Sequence, residues 1–256
     1  MQAEGNMVQK MREEFEENWR LGNAAEAERD HRQSRSYYDK AFALAEAIVA
    51  ETGAAEDRCI LATSYEMLGS GALKWNKRAS AKYYYTKSLA HREAVAKQTG
   101  TVEARRALAA AYKRLGRIAA DAKDPSGSIR YLTQCLELEE EIAEQTGAIA
   151  DRRAIAETYE NLGDVAESMR ESQMGYYRKM HELRKAIFEE SKTYDSYREY
   201  EIALAIMAQI SSNSAERRGY LLEEYEIMRQ HVERYPDDIL LQNLLNGVIQ
   251  QIQSIQ

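Results

Sequence analysis

An all-α solenoid is the fold class this sequence predicts, and three observations predict it. One motif returns at a fixed interval: Leu68-Gly69, Leu115-Gly116 and Leu162-Gly163 stand 47 residues apart, each preceded by a tyrosine, Tyr65, Tyr112 and Tyr159. Thr52-Gly53, Thr99-Gly100 and Thr146-Gly147 keep the same step, as do Tyr37, Tyr84 and Tyr131. Several landmarks held in one register are the signature of stacked repeats. Proline is almost absent, with Pro125 and Pro236 alone in 256 residues. Proline breaks helix interiors, and the abundant Ala, Glu, Leu and Arg favour them. Apolar residues also recur at helical spacing, as in Leu108, Tyr112, Leu115 and Ile118, or Leu132, Cys135, Leu138 and Ile142.

The first helix runs from Met7 to about Glu28, with Met7, Met11, Phe15, Trp19 and Leu21 on its apolar stripe. Leu21-Gly22 stands one period before Leu68-Gly69, so this helix opens a divergent first copy. The second starts near His31, carries Tyr37, Tyr38, Ala41, Leu44, Ala45 and Ile48, and stops at Thr52-Gly53. A glycine there takes the left-handed conformation that closes a helix. Three regular units follow, with helix 55–74 against 79–98, 102–122 against 126–146, and 149–171 against 174–191. Asp124-Pro125-Ser126 is a turn in which Asp124 or Ser126 caps the next helix, and Thr101 caps the helix after Gly100. Beyond Lys192 the register decays. Helix 194–212 is a copy without its glycine, and a further helix opens at Tyr220 and ends at Tyr235-Pro236-Asp237. The segment from Asp238 to Gln253 places Leu241, Leu244, Leu245, Val248 and Ile252 on one face, as a terminal cap requires. The expected organisation is one domain over 1–256. It comprises a divergent repeat at 1–53, regular repeats at 54–100, 101–147 and 148–194, a degenerate repeat at 195–236 and a capping helix at 237–256.

Glycines 69, 116 and 163 fall inside these helices, where each costs about 1 kcal/mol against alanine. A neighbouring helix approaching where a Cβ would sit compensates that cost. Small residues share registers too: Ser34, Ala81, Ser128 and Gly175; Ala41, Ser88 and Cys135; Ala25, Ala72, Ala119 and Ala166.

An aromatic, then Leu-Gly, then Ala three residues on, followed in the next helix by Ala81, Tyr85 and Ser88, resembles the tetratricopeptide repeat (TPR) family over residues 15 to 190. The family's unit is shorter, about 34 residues, and its closing proline is replaced here by Thr-Gly. The resemblance implies a right-handed superhelix of about five antiparallel helix pairs plus a C-terminal capping helix. It also implies that the first helices of the pairs line a concave groove for peptides or partner proteins.

On those first helices the expected partner-binding residues are Thr63, Glu66 and Ser70, then Ala110, Lys113 and Arg117, then Glu157, Glu160, Asn161 and Asp164. The middle set is basic and the last acidic, which would orient a peptide carrying both charges. The plainer reading of the same side chains is an ordinary solvated surface. Some family members hold a partner's C-terminal carboxylate with Lys, Asn and Arg from successive copies. Lys113 and Asn161 match, but Arg117 stands for an Asn, and Leu204 and Ala208 occupy places needing basic groups, so that clamp is incomplete. Tyr37-Tyr38, Tyr83-Tyr84-Tyr85 and Tyr176-Tyr177 read as interhelical packing with part of each cluster exposed.

Composition narrows the function class. The net charge of -7 disfavours a phosphate backbone as partner. The polar, acidic stretch from Met1 to Trp19 is no signal peptide, and the apolar run from Ile202 to Ala208 is too short for a bilayer, so no membrane and a cytoplasmic location are expected. Cys59 and Cys135 read as reduced, buried residues, a distant pairing remaining open. His31, His91, His181 and His231 keep neither the repeat register nor a metal-ligand spacing, and no phosphate loop or nucleophile elbow is present. No cofactor and no metal are expected. The function expected is a non-catalytic protein- or peptide-binding scaffold; the alternative is a peptide-responsive regulatory sensor whose superhelix changes shape on binding. The uncharged terminal helix from Ile239 to Gln256 either caps the array or meets a second copy as a homodimer.

Overall fold

The computed structural model describes residues 2–168 and 170–255, with side chains at 2–5, 168 and 170–172 left aside. All of the regular structure among them is helical. The chain divides into two compact units, Met1–Ala122 and Lys123–Gln256, the division falling inside the repeat expected at 101–147.

The first unit consists of α1 (Gln2–Ala27), α2 (His31–Thr52), α3 (Ala55–Lys74), α4 (Arg78–Thr99) and α5 (Val102–Asp121). Each helix packs on the next, and α1 with α2 and α3 with α4 form the closest hairpins. The helix ends are written in local chemistry. Gly53 and Gly100 close α2 and α4 at φ 58° and 63°, and the Asp30 and Thr101 side chains accept the amides of Gln33 and Ala104. Thr52 works at its junction in two directions, since its hydroxyl accepts from the Ala54 amide and donates to Asp57 at 2.6 Å. Asp57 is also held by Arg12 of α1 at 2.8 Å. Burial pushes the Asp57 carboxyl up, but the Arg12 and Thr52 hydrogen bonds outweigh it and leave the group below its ordinary range.

Gly22 and Gly69 face rings rather than neighbouring backbone. A Cβ at Gly22 would meet the Tyr38 ring at 2.6 Å, and one at Gly69 would meet Tyr85 at 2.8 Å. The ring hydroxyl then bonds the residue after the glycine: Tyr38 donates to Asn23 at 2.8 Å, and Tyr85 and Ser70 share a bond of 2.8 Å. Each glycine therefore seats a tyrosine that latches the second helix of a hairpin onto the first. The tyrosine run divides as the helical period requires, with Tyr85 buried, Tyr84 half-buried and Tyr83 exposed.

The second unit holds α6 (Pro125–Thr146), α7 (Ile149–Val165), a 3-10 turn (Ala166–Ser168), α8 (Arg170–Ser191), α9 (Tyr194–Ile210), α10 (Ser214–Arg234) and α11 (Ile239–Ser254). Again each α-helix packs on its successor. Asp124 caps α6, with Pro125 in the first turn, and Gly147 closes it at φ 63°. The Thr146 hydroxyl donates to Asp151 at 2.6 Å, as Thr52 does to Asp57. The glycine latch recurs, a Cβ at Gly163 falling 2.6 Å from the Tyr177 ring, whose hydroxyl donates to Asp164 at 2.6 Å. The core gathers Leu132, Ile155, Tyr159, Leu162, Met180, Phe188, Tyr200, Leu204 and Met207. Where α9 packs on α10, His231 is fully buried, its Nδ1 2.7 Å from Glu201 Oε1, and it stacks on Tyr197.

The structure corrects four expectations. The helix expected over 149–171 ends at Val165 and tightens into the 3-10 turn; residue 169 of that span lies outside the described residues. The connection shortens the register, since sixteen residues separate Gly69 from Tyr85 but fourteen separate Gly163 from Tyr177. Gly175 consequently does not share the buried small-residue position of Ser34, Ala81 and Ser128; it is exposed with open space around it. In α11, Leu241 and Val248 are buried as expected, but Leu244 is exposed, whereas Leu245, Val248 and Ile252 pack with Leu221 and Met228 of α10. Cys59, expected to be buried, is only half-buried, and neither it nor the buried Cys135 forms a disulfide.

Candidate functional site

The residues expected to meet a partner lie on α3 and α5 of the first unit and on α7 of the second. On α3, Glu66 is half-buried and accepts from Ser88 Oγ at 2.9 Å and Arg92 Nε at 3.2 Å, both from α4. Arg114 of α5 approaches the same carboxylate at 3.6 Å. Thr63 accepts from Arg92 Nη2 at 3.0 Å, and Ser70 belongs to the Tyr85 latch. One arginine thus ties two turns of α3 to α4, with charge-assisted bonds that hold position better than neutral ones. On α5, Lys113 is half-buried, whereas Arg117, directly after Gly116, is exposed.

On α7 the pattern repeats with other residues. Glu160 pairs with Arg184 of α8, the counterpart of the pair made by Glu66 and Arg92. Asp164 accepts the Tyr177 latch, and Asn161 donates to the Glu157 carbonyl of its own helix at 2.7 Å. Glu157 and Asp164 are exposed; Glu160 and Asn161 are half-buried. Leu204 and Ala208, the remaining positions of the carboxylate clamp, lie in the core of the second unit. Neither side chain offers a carboxylate a cation.

Three functional ties escaped sequence reasoning. Tyr65, Tyr112 and Tyr159 donate to Glu46, Glu93 and Glu140 at 2.9, 2.7 and 2.9 Å, joining each first helix to the helix before it. Those glutamates stand in the repeat step, so the signal was present in the sequence. Burial foremost, then the facing carboxylate, pushes the Tyr65 and Tyr159 phenols well above their ordinary range, which keeps both as donors. Arg92 and Arg184 were missed because the shortened connection before α8 hides their equivalence. His231 with Glu201 lies beyond the periodic part of the chain. Among the described residues, no cluster of three His, Cys, Asp or Glu side chains is placed to hold a metal ion. No described helix is long and apolar enough to cross a membrane.

Comparison with protein-family models and with curated proteins finds no match. Solved structures do match. BtubC (BKLC) of P. vanneervenii is 14% identical at a TM-score of 0.55, over 89% of this chain and 92% of that one. TTC0263, a thermophilic TPR protein of Thermus thermophilus, is 18% identical at a TM-score of 0.42, over 92% of this chain and 98% of that one. YrrB, described as a TPR protein with an unusual peptide-binding site, is 15% identical at a TM-score of 0.42, over 94% and 97% of the two chains. At such identities the likeness concerns fold alone. The likeness to BtubC, with the succession of latched hairpins, makes this chain an all-α helical-repeat protein.

Proposed function

We propose that the chain is a non-catalytic scaffold that holds a protein or peptide partner on the exposed faces of its first helices. The observation that carries this reading is the contrast between frame and face. The frame recurs: glycines 22, 69 and 163 seat a tyrosine, Tyr65, Tyr112 and Tyr159 bond a glutamate of the preceding helix, and Thr52, Thr99 and Thr146 precede a left-handed glycine. The face does not recur, since one exposed register of the first helices holds Thr63, Ala110 and Glu157. A frame repeated for stability and a surface varied position by position suit recognition of a specific partner. Arg117 and Lys113 supply cations on α5, and Glu157 and Asp164 supply exposed carboxylates on α7. The polar groups that do recur, Glu66 with Arg92 and Glu160 with Arg184, are engaged in holding helices together.

The test is affinity capture from the source cell with the wild-type chain and with Lys113→Glu/Arg117→Glu. The scaffold reading expects a saturable partner that is retained by the wild type and lost or weakened with the variant, at unchanged helical circular dichroism and melting temperature. Equal capture by both would remove these residues from the site, and no saturable partner at all would remove the function.

A further inference from the structure

We infer that a second partner surface lies in the groove between α6, α7 and α8, and that its occupant is a partner segment of apolar residues flanked by Lys or Arg. This rests on the scaffold reading but places the contact between second helices, away from the residues named above. The groove has a volume of 580 Å³, within the range of about 300–1,000 Å³ in which proteins bind ligands. Ile155 and Tyr159 of α7 form its floor, and Ala143 and Leu183 narrow it from α6 and α8.

The charges of the groove are unequally engaged. Arg152 is taken by Glu190, and Lys179 lies 5.1 Å from the centre of the Tyr159 ring and 3.4 Å from its hydroxyl. Glu140 accepts from Tyr159. Glu144 on one wall and Glu182 on the other are exposed and have no hydrogen bond or ion pair among the described residues. An occupant therefore meets an apolar floor between two unneutralised carboxylates. A cation beside an apolar side chain complements both, and an anionic segment is repelled.

The equivalent place in the first unit shows that this is not a by-product of the repeat. There Glu46, Arg58, Leu61 and Tyr65 correspond to Glu140, Arg152, Ile155 and Tyr159, but Ala50 stands for Glu144, Ala90 for Glu182 and His91 for Leu183. His91 stacks on Tyr65 with ring centres 5.8 Å apart. One copy thus has an imidazole stacked on its tyrosine and neither of the two carboxylates, whereas the other carries both.

The experiment is fluorescence anisotropy of a labelled helical peptide of repeating Lys-Leu-Ala-Lys-Leu units, with its Glu-for-Lys analogue as control. It uses the full chain and three variants: Glu144→Lys/Glu182→Lys, the charge-matched Glu13→Lys/Glu51→Lys of the first unit, and Lys113→Glu/Arg117→Glu. The inference expects saturable binding of the cationic peptide alone, weakened at least tenfold by Glu144→Lys/Glu182→Lys and within twofold of wild type for the other two. Equal loss in the Glu13→Lys/Glu51→Lys variant would reduce the binding to net charge and overturn the site. Absence of binding to the wild type would overturn it as well. In either case, capture of a cellular partner that depends on Lys113 and Arg117 would leave the scaffold reading standing; loss of both would bring down the two together.

Discussion

Replacing Gly69 by alanine adds one methyl group, and the structure gives that methyl nowhere to go. The Cβ would lie 2.8 Å from two atoms of the Tyr85 ring, well inside van der Waals contact. Tyr85 is buried and its hydroxyl is fixed on Ser70, so the ring cannot yield without giving up packing and that bond. Overpacking of this kind costs about 1–3 kcal/mol, and the hydroxyl bond contributes about 1 kcal/mol more. Alanine's better helix propensity returns about 1 kcal/mol. The net expectation is a destabilisation of about 1–3 kcal/mol. Gly71, two residues along the same helix, has nothing within 4 Å of its would-be Cβ. There the propensity gain stands alone, and Gly71→Ala should stabilise by up to about 1 kcal/mol. Urea denaturation followed by circular dichroism measures both variants, with an unchanged slope as the sign that only stability has moved. A double-mutant cycle closes the test, because in a Tyr85→Ala background Gly69→Ala should lose its penalty. Gly69→Ala at or above wild-type stability would refute the latch.

Three further outcomes follow from other contacts. Tyr159→Phe, which leaves Glu140 without its donor, should cost about 1 kcal/mol in the same denaturation assay, and a neutral result would show that the bond only trades with water. Glu224, buried on α10 and facing the charge of Glu201, has its carboxyl raised from 4.5 to about 7, by burial first and by Glu201 second. A raised carboxyl means that the unfolded chain releases its proton first, so stability falls as pH climbs from about 4.5 to about 7, by about 3 kcal/mol. Glu224→Gln should therefore melt higher than wild type near pH 8 and together with it near pH 4; equal melting at both would show the carboxyl to be solvated. Arg184→Met should loosen α8 from α7 through the loss of Glu160's partner, visible as faster amide exchange in α8, while Arg178→Met, which has no such partner among the described residues, should leave exchange unchanged.

Helix ends were legible because they depend on neighbouring residues: Thr-Gly at 53, 100 and 147, Asp-Pro at 124–125. Of the glycines expected at places of close approach, 69, 116 and 163, the ones at 69 and 163 meet a ring, and so does Gly22, which was read only as one period before Gly69. That the ring is a tyrosine of the following helix was not legible, since sequence spacing records which residue is small and not which atom arrives. The equivalence of Arg92 with Arg184 was hidden by the two residues missing before α8, a length change that propensity does not reveal. Glu66 and Glu160 read in the sequence as charges facing a partner or water, because nothing local distinguishes such a carboxylate from one facing an arginine on the next helix. The expected site residues were thus legible only as positions on the first helices, and which of them hold helices together needed the packing of α3 on α4 and of α7 on α8.

Hydrogen–deuterium exchange of the chain with and without its captured partner examines the scaffold account most directly. The account expects partner-dependent protection on the exposed turns around Arg117 of α5 and around Glu157 and Asp164 of α7, with the latched cores around Tyr85 and Tyr177 already slow and unaltered. Protection confined to the chain termini, or none anywhere on α5 and α7 while the partner is bound, would contradict it.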